Sequence, residues 1–379
     1  MGLKALHCPT PVPLSPRCER LHTGGSPLTA KQTCVWRSPR GIESAAALKT
    51  LEVRPQLHYT GLMIIQADPP RAKSRSPILQ GDAFELIMTF KRKVDLLITS
   101  PPYWGLRSYG LDHDEELLAR WETIGCDRSR VPPWDWYSRE GGVLGLEPFP
   151  EWYVAHLVEF FNRAKPLLKS TGSVWVNIGD TYFARWSSIR DDGRQGIREG
   201  RLRRKTPSGG YLHDKQLLMI PARFAIAMQE AGWILRNDLI WAKPNPIPRP
   251  ELDRLRLSHE HWLHFVLRQR AGRPAYYYKL DECEAGALDV VTCPTSNAAT
   301  GHSATFPAEL VECRIKSSCP EGGLVLDPFC GSGQAIAAAF RTGRVGAGFE
   351  LSPKNARIAR ANTAAAVQQS RRDKLQRTG

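Results

Sequence analysis

The sequence has no apolar run near the roughly 18 residues that a membrane span needs. It also has no Cys-x-x-Cys pair and no paired-histidine spacing of the zinc-holding kind. Its nine cysteines are scattered from Cys8 to Cys330, so a disulfide framework and a structural zinc site both drop out, and reduced thiols in a cytoplasm are expected. The start, MGLKALHCPT, lacks the apolar stretch of a secretory signal and carries Leu6 where a myristoylation signal wants Ser or Thr. No metal, no membrane and a cytoplasmic location are the resulting expectations. Acid is the scarcer charge: 38 Asp and Glu face 52 Lys and Arg, for a formal net charge of +14 and a pI near 9.5. Such an excess suits a polyanionic partner, because clustered cations release counterions from a phosphate backbone, and it predicts salt-sensitive binding. A generally basic protein would show the same excess.

What is present is enough for a large core: 42% of 379 residues are hydrophobic. Residues 1–62 are rich in Pro, Ser, Thr, Gly and Arg with little periodicity, which predicts a basic, flexible arm. One domain is expected over 63–368, with a basic tail at 369–379. Val94 to Ile98 reads as a short buried strand, and the Trp-containing stretch after it, to about Gly145, as an insertion outside the core. From about Glu151 the spacing of Tyr153, Leu157, Phe160, Ala164 and Leu168 predicts a helix that Gly172 closes. A strand, Ser173 to Asp180, leads into an Arg-rich stretch over 184–210 that reads as a charged loop. Then come a helix from Pro221 to Gly232, a strand from Ile234 to Trp241 and another around His261 to Arg268. The last unit is a strand at Leu324 to Leu326, a turn, a helix from Gln334 to Arg341, a strand from Val345 to Phe349, and a helix from Ser352 and Pro353 to about Val367. The alternation predicts a wound α/β sheet.

In such a sheet ligands bind beyond the carboxyl ends of strands, where glycines admit a backbone and helix N-termini offer free N–H groups. Asp327, Pro328, Phe329, Gly331 and Gly333 occupy such a place, and Glu350 ends the next strand, set to accept hydrogen bonds from two ribose hydroxyls. No Gly-Lys-Ser/Thr follows, and Ile336 stands where a dinucleotide fingerprint wants its third small residue. A phosphate-free, ribose-bearing cofactor, S-adenosylmethionine, fits this turn better than a nicotinamide dinucleotide does.

Ser100, Pro101, Pro102 and Tyr103 follow the first strand. The exocyclic amine of a nucleobase is a weak nucleophile because its lone pair is delocalised into the ring. Acceptors for its two hydrogens draw it toward a tetrahedral shape. Ser100 Oγ and the Pro101 carbonyl can serve as those acceptors, two prolines stiffen the turn, and Tyr103 can stack on a base flipped out of the duplex. Methyl transfer would then be a direct in-line displacement, with alignment of the reactants much of the catalysis. A covalent route through cytosine carbon 5 uses a thiolate in a Pro-Cys dipeptide, and no cysteine here follows a proline.

These blocks, LQGDAFELI, DLLITSPPYWGLRSYG, SVWVNIGDTY, IPARFAIAMQEAGWILRNDLIWAKPNPIPRP, SHEHWLHFVL, HSATFPAEL, LVLDPFCGSG and GFELSPKNARIARA, resemble the DNA amino-methyltransferases of the beta arrangement, in which the catalytic motif precedes the cofactor motif. The resemblance covers about Ile78 to Asn362. It implies a Rossmann-like, seven-stranded sheet with helices on both faces and one reversed strand, and S-adenosylmethionine as cofactor. It also implies that Phe306 and Pro307 wall the cofactor pocket and that Asp82 faces the adenine end. Lys243, Asn245, His259 and Glu260 would shape the pocket or contact DNA, with a buried His259 and Glu260 pair as the structural alternative. Target recognition would fall to the segments at about 111–142 and 184–210. Duplex DNA is the implied partner, with room for a companion restriction endonuclease acting on the same site.

Within that family Ser at the first motif position goes mainly with cytosine N4 and Asp mainly with adenine N6, so N4-methylcytosine is the expected product and N6-methyladenine the alternative. A binding-only protein with a degenerate site is a further alternative. The glutamine-amide methyltransferases of proteins use a related Pro-Pro-Tyr turn, but with the cofactor motif before it. Gln334 departs from the Thr many relatives carry, outside the essential turn.

Overall fold

Val94–Thr99 (β2) is buried at every position, as a strand covered on both faces should be, and lies in the middle of an eight-stranded sheet. The computed structural model describes residues 76–105, 128–183, 186–189, 195–196, 202–205, 210–246, 252–282, 288–295 and 307–378. The arm expected over 1–62 and Phe306 lie outside the described residues. Across the sheet the order is Ile78–Gln80 (β1), Val345–Glu350 (β11), Leu324–Asp327 (β10), β2, Leu168–Ile178 (β3), His259–Leu267 (β8), Trp233–Ala242 (β7) and Val290–Thr292 (β9). β8 runs antiparallel to both of its neighbours and every other pairing is parallel. The single reversed strand is as expected, and the strand beyond the expected seven is the three-residue edge piece β9.

Side chains of β2 alternate between two cores. Val94 and Leu97 face one that holds residues of Ala83–Thr89 (α1), Pro150–Ala164 (α3) and Ile220–Glu230 (α4). Leu96 and Ile98 face another, with residues of Ala308–Ser318 (α5) and Gln334–Arg341 (α6). Proline in the first turn starts both α3 and α4, where its missing N–H costs nothing and its fixed φ suits the helix. Pro353–Thr378 (α7) closes the chain and takes in most of the expected tail.

Ile336 shows why a third fingerprint glycine is dispensable. A Cβ on Gly346 would lie 2.6 Å from Ile336 Cγ2, and one on Gly348 would lie 3.1 Å from Ile336 Cγ1. The small residues that let helix and strand close together sit on β11 instead of on α6.

Three expectations need correction. The helix stops at Ala164, because Lys165–Leu167 turns more tightly around Pro166, and Gly172 lies inside β3. There a side chain would strike Leu168 Cδ1 at 2.8 Å. Residues 128–145 are not outside the core: Trp134–Arg139 (α2) is a short helix whose Trp134 stacks on Phe84 with ring centroids 4.0 Å apart, and Tyr137 is fully buried. Residues 184–210 are not loop throughout: Trp186–Ile189 (β4), Gln195–Gly196 (β5) and Leu202–Lys205 (β6) form a separate antiparallel sheet with β4 in the middle.

Candidate active site

β10 and β2 are neighbours in the sheet although 228 residues separate Thr99 from Asp327. The chain winds outward from this pair in both directions, which makes it the switch point where a crevice opens. At the carboxyl ends, buried Thr99 donates its hydroxyl to Asp327 Oδ1 at 2.6 Å. That bond joins the roots of the two turns, since Ser100 follows Thr99 and Pro328 follows Asp327.

The cofactor turn is shaped from within. Phe329 N–H donates to the same Asp327 oxygen at 3.1 Å, and burial raises the Asp327 carboxyl to about 7 despite both donors. Gly331 N–H and Ser352 N–H donate to Glu350 Oε2 and Oε1, at 2.9 and 2.8 Å. These bonds aim the carboxylate and leave its outer lone pairs for hydroxyl donors, while burial pushes its pKa up. Gly331 sits at φ +51° with no atom within 4 Å of where a Cβ would be, an open cradle beside Glu350. The Glu350 carboxylate beside the open Gly331 fits the ribose hydroxyls of S-adenosylmethionine. Asp82 follows β1, which pairs with β11, and Gly81 N–H donates to the Glu350 carbonyl at 3.1 Å. Asp82 thus stands beside Glu350, where its Oδ1 also caps α1 by accepting from Phe84 N–H at 2.7 Å. Pro307 is buried and caps α5.

The Ser-Pro-Pro-Tyr turn is held by distant elements. Tyr153 on α3 donates its hydroxyl to the Pro102 carbonyl at 2.8 Å. Phe160, two turns along the same helix, packs on Phe329 with centroids 4.9 Å apart, so α3 braces both turns. Ser100 Oγ donates to the Tyr103 hydroxyl at 3.2 Å. That phenol oxygen also lies 3.0 Å from Asn177 Oδ1 on β3 and 2.9 Å from Glu260 Oε2 on β8. Burial and the Glu260 charge hold the Tyr103 phenol well above its ordinary range, so it stays neutral. The residue as a whole is half-buried and packs against the core. Behind the turn, Gly105 N–H donates to Gly145 O at 2.7 Å, and Gly145 N–H to Glu147 Oε2 at 2.8 Å. Glu147 Oε1 in turn meets His156 Nδ1 at 3.1 Å, with both side chains fully buried.

His259 and Glu260 are not a pair. Adjacent strand residues face opposite sides: His259 is exposed, with its ring 5.3 Å from that of His261, whereas Glu260 bonds Lys243, just past the end of β7, as well as Tyr103. Asn245 Oδ1 accepts from Thr295 N–H at 3.0 Å. From the sequence, Asn177, Gly179 and Thr99 have no place in the site, and Tyr153 only a place in a buried helix stripe. Gly179 lies within the strand read from Ser173 to Asp180, whereas β3 ends one residue before it, at Ile178. A Cβ on Gly179 would lie 2.8 Å from Tyr103 Cε2.

An acidic, glycine-cradled turn for a ribose-bearing cofactor, facing a Ser-Pro-Pro-Tyr turn across a switch point, defines a methyltransferase of amino groups that uses S-adenosylmethionine. Residues 94–361 match the N6_N4_Mtase family model, described as DNA methylase, and the chain belongs to this family of DNA amino-methyltransferases. It is 33% identical over 300 residues to the Type II methyltransferase M.Cfr9I of Citrobacter freundii, covering 76% of this chain and 88% of that one. To M.SmaI of Serratia marcescens it is 32% identical over 295 residues, covering 75% and 89%. Among solved structures the fold resembles that of PvuII DNA methyltransferase (cytosine-N4-specific), with a TM-score of 0.51 at 18% identity over 77% of this chain and 91% of that one. The protein is a Type II DNA methyltransferase. Among the described residues no helix is long and apolar enough to cross a membrane.

Proposed function

We propose that the chain methylates the exocyclic N4 of cytosine at a specific site in duplex DNA, by in-line displacement on a base flipped into the crevice beside Ser100. The observation that carries the choice of base is the residue itself, a serine and not an aspartate at the head of the Pro-Pro-Tyr turn. The similar fold of the cytosine-N4-specific PvuII enzyme accords with the same choice.

When bound, S-adenosylmethionine supplies a methyl group on a positively charged sulfur. Glu350, Asp327 and the Gly331 cradle would hold it, with Asp82, Phe306 and Pro307 around it. Tyr103 offers a ring face to the flipped base. Ser100 Oγ and the Pro101 carbonyl accept the amine's hydrogens, which localises the nitrogen lone pair. The turn carries no charge of its own, so the attacking nitrogen meets dipoles fixed in advance. The Type II relatives support a companion endonuclease cutting the same sequence as part of this reading, with the reaction placed in the cytoplasm.

Incubating the purified chain with unmethylated duplex DNA and labelled cofactor, digesting to nucleosides and weighing the product tests the reading. N4-methylcytosine is expected; N6-methyladenine would overturn the choice of base while leaving the family assignment intact.

A further inference from the structure

The Tyr103 hydroxyl has one proton and two acceptors within reach, Asn177 Oδ1 at 3.0 Å and Glu260 Oε2 at 2.9 Å. A charged acceptor makes a hydrogen bond roughly twice as strong as a neutral one, so the proton goes to Glu260. Lys243 Nζ donates to the other Glu260 oxygen and lies 4.4 Å from the centre of the Trp241 ring. The Glu260 and Lys243 side chains are only 17% and 15% exposed, and a carboxylate this enclosed needs its counter-ion.

With its proton committed, the phenol oxygen is left as an acceptor toward Ser100, whose hydroxyl donates to it at 3.2 Å. A serine hydroxyl has one proton and two lone pairs. Once that proton is turned to Tyr103, both lone pairs of Ser100 Oγ are available to an incoming amine.

We propose that Glu260, with Lys243 as its counter-ion, is a positioning residue for methyl transfer: by accepting the Tyr103 proton it orients Ser100 Oγ as an acceptor for the target amine and anchors the Tyr103 ring. Glu260 touches neither cofactor nor base in this role. It acts through Tyr103: donation runs from Ser100 through Tyr103 to Glu260, where the donation from Lys243 also ends. The proposal rests on the assignment of Ser100 to Tyr103 as the catalytic turn.

The test is single-turnover methylation at saturating DNA and cofactor, with cofactor affinity measured separately. It uses Ser100→Ala, Tyr103→Phe, Glu260→Gln, the double variant Tyr103→Phe/Glu260→Gln, and Glu260→Gln/Lys243→Gln, which removes both charges together and so leaves no unpaired lysine. Losing a hydrogen bond to a charged group predicts an approximately 10- to 100-fold slower transfer step in Glu260→Gln, with cofactor affinity unchanged. Glu260→Gln/Lys243→Gln should be as slow as Glu260→Gln. In the Tyr103→Phe background, where no hydroxyl remains to orient, Glu260→Gln should change the rate by less than about threefold.

Equal slowing by Glu260→Gln in both backgrounds, or a wild-type rate in Glu260→Gln/Lys243→Gln, would overturn the proposal. Ser100→Ala separates the two readings. Unchanged methylation there removes the catalytic turn itself, whereas an inactive Ser100→Ala beside a fully active Glu260→Gln removes the role of Glu260 alone.

Discussion

The two turns that meet at the switch point are held in opposite ways. In the cofactor turn, Asp327 is bonded by the N–H two residues on, and Gly331 bonds a carboxylate 19 residues on. In the catalytic turn, the partners of Pro102 and Tyr103 lie 51, 74 and 157 residues away. Apart from Thr99, which bonds Asp327 from 228 residues away, the cofactor turn is bonded by its own strand, helix and strand; the catalytic turn, beyond its internal Ser100–Tyr103 bond, is held by α3, β3 and β8. Contacts distant in sequence close late and depend on the whole sheet. Chemistry should therefore be more fragile than cofactor binding whenever the antiparallel half of the sheet is loosened.

A pair of glycine substitutions tests that contrast with the largest expected effects. Gly333 sits at φ +79°, and a Cβ there would lie 3.0 Å from Ala359 Cβ and 3.1 Å from its Cα. Gly333→Ala combines left-handed strain with a clash against helix backbone, at about 1–3 kcal/mol of stability. Calorimetry should show cofactor affinity falling with it. At Gly179 the obstacle is the Tyr103 ring, 2.8 Å away. Gly179→Ala should slow methyl transfer roughly tenfold or more, since small misplacements in a reacting geometry are costly, while cofactor affinity stays near wild type. A Gly179→Ala protein that loses cofactor affinity to the same degree would show that the two turns are one unit.

Protonation sharpens the comparison from the cofactor side. Burial lifts the Asp327 carboxyl from 3.8 to about 7, with Glu350 adding to the rise. The folded chain therefore holds a proton that the unfolded chain has released once the pH passes about 4. For this group the linkage is that of a raised pKa: its contribution to stability is complete below about pH 4 and is lost as the pH rises through about 7. Going from about pH 5.5 to 8, the cofactor-free protein should lose on the order of 2 kcal/mol that Asp327→Asn does not lose. Denaturant unfolding of both proteins at the two pH values checks this. Asp82 and Glu350, raised in the same direction by burial, leave a residual slope in the variant.

What could be read from the sequence follows the same division. The unit from Leu324 to Glu350 is legible because each signal is local: a short apolar run, glycines at φ +51° and +79°, and a helix whose Gln334–Arg341 bounds match the reading. Proline marked the starts of α4 and α7 for the same reason. Gly172 misled because a glycine after an apolar stripe looks like a helix stop, whereas here it relieves crowding inside β3 against Leu168. The helix Trp134–Arg139 has only six residues, too few to show a period, and its burial comes from Phe84 and His156 on other elements. The Ser-Pro-Pro-Tyr turn was visible as a motif. Its supports were not, because nothing near Tyr103 in the chain says that Asn177 and Glu260 will converge on its hydroxyl.

The smallest expected effect lies where the two turns share a support. Tyr153 donates to the Pro102 carbonyl at 2.8 Å, and Phe160 on the same helix packs on Phe329, so α3 touches one turn through a hydrogen bond and the other through a ring. Tyr153→Phe keeps the ring, which is fully buried, and removes only the donor. A lost neutral hydrogen bond is worth about 1 kcal/mol, which corresponds to a roughly fivefold slower transfer step if the whole loss falls on the position of Ser100 and Tyr103. Cofactor affinity should not move, because Phe329 keeps its packing. If calorimetry instead found affinity weakened as much as the rate, α3 would be transmitting strain from one turn to the other, and their separate construction would no longer imply separate function.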